Sequence, residues 1–146
     1  MQAGSLRLWP VSPHVVLPDI PFISIALVCA NPYDSIVGTV DPAIEGQALA
    51  VVKVLSGLGV VRAAYLFGSH VEGTPDEWSD IDVAVFMEGV EHWDIDQRAE
   101  ATALVMEKVG SEVEAHLFPV SDLDNPPRGG FAKYILHHGI RIFKQE

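Results

Sequence analysis

Cysteine is almost absent: Cys29 stands alone among 146 residues. One thiol can neither close an intrachain disulfide nor build a cysteine-based zinc site, so the chain reads as one suited to a reducing, cytoplasmic setting. Bases are scarce too, with 9 Lys and Arg against 20 Asp and Glu and a net charge of −11. That balance repels a phosphate backbone and argues against a protein that grips DNA or RNA by charge alone. Nucleotide chemistry stays open, because a divalent cation can supply the missing positive charge. Long hydrophobic runs are missing as well. The most apolar one, residues 22–30, is nine residues long and includes Ser24, whereas a membrane span needs about 20. Asp19 and two prolines precede it, Arg7 is the only base upstream, and bulky Val28 precedes Cys29. Neither export nor a membrane location is expected from such flanks.

What is present is enough apolar material, 49% of the chain, for the core of one ordinary domain. The first 40 residues differ from the rest: Pro10, Pro13, Pro18, Pro21 and Pro32 interrupt any helix and demote any strand to an edge. Residues 1–40 read as a poorly ordered N-terminal extension, and residues 41–146 as the domain. Asp41-Pro42 is an N-cap followed by proline at the first helical position, after which Ile44, Ala48, Val51, Val52 and Leu55 recur at helical spacing. Strands are expected at 60–67, 80–86, 112–118 and 140–143. A second long helix is expected with Ile95, Ala99, Ala103, Met106 and Val109 on its apolar face, and a short one over 131–138 closed by Gly139. The order predicts an α+β (α/β-like) domain, a small mixed β-sheet flanked by helices.

The informative stretch is Leu66-Phe67-Gly68-Ser69, then ten residues, then Asp80-Ile81-Asp82-Val83. Residues two apart on a strand share a face, so Asp80 and Asp82 are expected side by side, with Ile81 and Val83 toward the core. Carboxylates that close repel each other unless a cation sits between them, and Mg²⁺, a hard cation that travels with phosphates, is the expected one. Glu114, set between Val113 and Ala115, is the expected third carboxylate. Glu112 has the same parity and is the alternative. Taken alone, a D-x-D on a strand is as easily a solvated face, and Gly-Ser after a strand is ordinary turn chemistry. The ordered combination is what carries weight.

That combination resembles the polymerase-β-type nucleotidyltransferase superfamily, in particular the minimal bacterial and archaeal nucleotidyltransferases. Gly68-Ser69, the ten-residue gap, Asp80-Ile81-Asp82, the later acidic strand and the ending from Ile135 to Phe143 carry the likeness, which spans Asp41 to Lys144. The resemblance implies the nucleotidyltransferase fold, with Asp80, Asp82 and Glu114 as metal ligands and catalytic residues. It also implies nucleotide phosphates held at Gly68, Ser69, His70 and Ser79. The implied reaction is attack of an acceptor hydroxyl on the α-phosphate of a nucleoside triphosphate, expected to be ATP, with Glu114 taking the proton.

Where many relatives carry Lys or Arg after Gly-Ser, this chain has His70-Val71-Glu72-Gly73, and Glu72 is expected to point to water. His116 alternates in step with Glu114 and reads either as a satisfied strand histidine or as the edge of the site. Trp78 reads as a loop tryptophan packed on the domain. Larger relatives append a domain that holds the acceptor. Here the acceptor site is expected to be shallow, built by a homo-oligomer, or brought by another protein. The resemblance implies a small helical partner of the HEPN type, as in toxin–antitoxin pairs. Two rival readings are a non-catalytic partner-binding antitoxin that keeps the fold and a small-molecule (aminoglycoside-type) nucleotidyltransferase.

Overall fold

The computed structural model describes residues 40–146, and the expected extension, Val40 apart, lies outside the described residues. The elements in chain order are α1 (Pro42–Ser56), β1 (Val61–Phe67), α2 (Ser69–Glu72), β2 (Ile81–Met87), a 3₁₀ turn (Val90–His92), α3 (Ile95–Lys108), β3 (Val113–Pro119), α4 (Ser121–Asp124), α5 (Phe131–His138) and β4 (Ile140–Lys144). Asp41 caps α1 as its sequence predicts: the carboxylate accepts from the Ala43 amide at 2.8 Å, and Pro42 occupies the first helical position.

The strands form one mixed sheet in the order β3-β2-β1-β4. β1 runs antiparallel to β2 and β4, while β2 and β3 run parallel. A parallel pair needs a crossover connection, and α3 supplies it. Both the α+β class and the mixed sheet agree with the sequence reading.

Alternation along β2 gives the sheet two different faces. Ile81, Val83, Val85 and Met87 enter a core shared with Ala48, Val51, Val52 and Leu55 of α1 and Ala101 and Val105 of α3. Each fully buried side chain of Leu size contributes about 1.5–3 kcal/mol there. Ala84 and Phe86 face the other way, into a smaller cluster with Ala63, Phe67, Ala132 and Ile135. β1 obeys the same alternation only after a bulge between Val61 and Ala63, which lets Val61 and Ala64 share one face.

One expectation is corrected in α3. Ile95 is 82% exposed and Met106 46%, and Ala99 and Ala103 are exposed too. The row turned to the core is instead Ala101 and Val105, with Val109 packed beside them. The helix start is fixed by a capping box, in which the Asp94 carboxylate accepts from the Gln97 amide and the Gln97 side chain accepts from the Asp94 amide. Arg98 is turned inward to donate to the Val90 carbonyl at 2.7 Å and the Leu117 carbonyl at 3.4 Å. Small and apolar residues on both sides of α3 left two phases open, and these anchors select the other one.

Candidate active site

The site lies on the α5 face of the sheet, where the parallel strands β2 and β3 begin. Parallel register sets Asp82 opposite Glu114, and Ala84 opposite His116. The ligand atoms of Asp82, Glu114 and His116 all lie within 4.8 Å of one another. His116 Nε2 is 3.4 Å from Asp82 Oδ1 and 3.7 Å from Glu114 Oε1. Exposure grades across the group: the Asp82 side chain is 25% exposed, His116 27% and Glu114 57%. Asp82 and His116 are therefore equally recessed, and Glu114 is the one open to an incoming group.

Gly68 is built around Asp82. Its backbone sits at φ 77°, ψ −155°, a combination essentially restricted to glycine. A Cβ at this position would stand 2.5 Å from Asp82 Oδ2. The glycine of the Gly-Ser pair thus leaves the space that the recessed carboxylate fills, with Phe67 paired to Asp82 across the ladder. Ser69 opens α2, half-buried, and its carbonyl accepts from the Thr74 amide at 3.1 Å. His70 and Ser79 hold the intervening loop. The His70 ring nitrogen lies 3.3 Å from the Ser79 carbonyl. The Ser79 hydroxyl accepts from the Asp76 amide at 2.9 Å and donates to the Asp76 carboxylate at 3.0 Å.

Asp80 stands apart from the group of three. β2 begins at Ile81, whose amide donates to the Glu112 carbonyl at 2.8 Å, so Asp80 is an exposed residue before the ladder. The shared parity of Glu112 and Glu114 also fails. β3 begins at Val113, and the Glu112 carboxylate accepts from Gln47 Nε2 of α1 at 2.7 Å, on the side of the α1–α3 core. Strand alternation does not extend to a residue outside the strand. Of the two candidate glutamates, Glu114 is the one gathered with Asp82.

Aromatic side chains surround the cluster. The His116 ring meets Phe67 edge-on at 5.2 Å and Phe131 at 5.9 Å. Phe131, Tyr134 and His138 continue along α5, with Tyr134 and His138 stacked at 4.3 Å. Glu72, expected to point to water, is exposed but engaged: its carboxylate accepts from the Tyr134 hydroxyl at 2.6 Å, tying α2 to α5. That hydrogen bond, with smaller contributions from burial and the Glu72 charge, raises the Tyr134 phenol above its ordinary value of 10.0. Trp78 is 82% exposed rather than packed on the domain. The sequence reading placed Phe131 and Tyr134 only within the short helix over 131–138 and gave them no part in the site.

Residues 50–146 match the family described as "Polymerase beta, Nucleotidyltransferase". In three dimensions the chain is similar to a protein assigned as a nucleotidyltransferase from Sulfolobus solfataricus. That likeness has 18% identity, covers 70% of this chain and 82% of that one, and has a TM-score of 0.50. It is also similar to a toxin–antitoxin structure solved with AMP-PNP, at 20% identity over 70% of this chain and 74% of that one, TM-score 0.52. At such identities the likeness speaks for the fold alone. No curated protein sequence matches the chain.

Proposed function

The chain belongs to the polymerase-β nucleotidyltransferase family, and from that premise we propose that it transfers AMP from ATP to a hydroxyl on a partner protein, using Mg²⁺. The observation that carries the reading is the pairing of Asp82 with Glu114 in register, with Gly68 shaped to the Asp82 carboxylate. This donor set fits a cation. Two carboxylates converge, and among the described residues their ion pairs come from His116 alone. Asp82 and Glu114 would hold the cation, with Asp80 joining from the loop before β2. A divalent cation here offsets triphosphate charge and makes the acceptor hydroxyl more acidic.

The remaining work belongs to the chain's own groups. Gly68, Ser69, His70 and Ser79 border the place for the phosphates. Glu114, the most exposed of the three clustered side chains, accepts the proton of the acceptor hydroxyl as its oxygen bonds to the α-phosphorus and pyrophosphate leaves. Support for ATP and for a protein partner comes from the toxin–antitoxin structure of similar fold, solved with AMP-PNP. A helical partner of the HEPN type, in the cytoplasm, is the expected acceptor. Among the described residues no helix is long and apolar enough to cross a membrane.

The test is labelling of source-cell lysate with α-³²P-ATP and Mg²⁺ by wild-type protein, beside γ-³²P-ATP. A protein band labelled from the α position only supports AMP transfer and hands over the acceptor. Label from the γ position, or none, contradicts it. A second reading, the non-catalytic antitoxin, draws on one observation: residues 68–82 contain no Lys or Arg to meet a triphosphate. It requires that Asp82→Asn leave protection against the partner intact.

A further inference from the structure

We propose that His116 is itself a metal ligand, so that Asp82, Glu114 and His116 form a mixed oxygen–nitrogen site that favours a first-row transition cation over Mg²⁺. The proposal deepens the cation reading above and rests on it for Asp82 and Glu114.

Three features argue for it. The first is spacing. Ligand atoms about 2.1 Å from a common ion stand roughly 3–4 Å apart, and His116 Nε2 is 3.4 Å from one carboxylate oxygen and 3.7 Å from the other. The second feature is the hold on the ring: Phe67 at 5.2 Å and Phe131 at 5.9 Å meet it at steep angles, 61° and 78°. These contacts limit how the ring can turn and leave Nε2 facing the carboxylates. The third is room, because the cross-strand neighbour of His116 is Ala84, whose methyl leaves the ring free to lean toward Asp82.

Chemistry then sets the preference. Mg²⁺ takes hard oxygen ligands and gives up water reluctantly, so an imidazole adds little for it. First-row transition ions accept imidazole readily, and their affinity for such a site rises from Mn²⁺ to Co²⁺ and beyond. Binding uses the neutral ring with the proton on Nδ1 and the Nε2 lone pair directed at the ion.

The test uses Co²⁺ as probe, on the whole chain without nucleotide. The visible absorption of Co²⁺ reports binding, and competition gives the Mg²⁺ affinity. In His116→Gln, Co²⁺ affinity is expected to fall about tenfold or more while Mg²⁺ affinity stays within about twofold. In unmutated protein, ¹⁵N spectra with diamagnetic Zn²⁺ are expected to move the His116 Nε2 signal to that of a metal-bound nitrogen, while Mg²⁺ leaves it in place, a readout independent of how any variant folds. Equal changes in both affinities, or an unmoved Nε2 signal with Zn²⁺ bound, would overturn the proposal. So would absence of Co²⁺ binding to wild type, and if that same protein still labels a partner from α-³²P-ATP with Mg²⁺, the transferase reading stands without it.

Discussion

β2 serves two masters. On one side Ile81, Val83, Val85 and Met87 are closed under α1 and α3. On the other, Asp82 is part-exposed in a cluster of ionisable groups, with only Ala84 and Phe86 behind it. The first face is apolar throughout its buried set and supplies most of the core. The second holds a smaller apolar cluster at its centre and polar chemistry at the end where β2 and β3 begin. Adjacent residues of one strand therefore answer to different demands: a change on the first face should be felt as stability, and one on the second as activity.

The sharpest way to separate the faces starts in the core. Leu55→Ala removes a side chain with no exposure and is expected to lower unfolding free energy by about 2–5 kcal/mol, read by urea denaturation, with label transfer intact on the folded fraction. Gly68→Ala tests the seam between fold and chemistry. The strained backbone costs about 1–3 kcal/mol, and the new methyl displaces the Asp82 carboxylate, so transfer falls further than the melting temperature alone explains. Glu112→Gln is expected to leave transfer within about twofold of wild type, because that carboxylate serves Gln47. A large loss in this variant would put Glu112 back in the site.

The smallest effect concerns the α2–α5 tie. Tyr134 donates to Glu72 only while neutral, and its folded value lies above the ordinary 10.0. The tie is fully present below the unfolded value and is lost as pH rises through the folded one. Ultraviolet titration of the tyrosines is expected to show this late ionisation in wild type and an earlier one in Glu72→Gln.

Much of the architecture was legible because periodicity reports burial directly. Asp41-Pro42 and the Gly139 stop each correspond to an observed boundary, whereas β2 begins at Ile81 and β3 at Val113, one residue after the expected starts. Phase was harder. α3 carries apolar residues on both sides, and the inward turn of Arg98 toward two backbone carbonyls depends on neighbours distant in the chain. In the site, Asp82 and Glu114 were legible as strand residues. Parity failed at Glu112 because it precedes the strand, and for the same reason no ladder holds Asp80. The aromatic hold on His116 comes from Phe67 and Phe131, which the fold brings together from separate elements. No local pattern could announce it.

Asp82→Asn tests the central claim most directly, because Val83 beside it belongs wholly to the core. The measurement is label transfer from α-³²P-ATP, made at a temperature where both variant and wild type are folded. The account predicts a loss of about 100-fold or more with an unchanged melting temperature. Transfer that survives this substitution would place the chemistry elsewhere and contradict the assignment of that face.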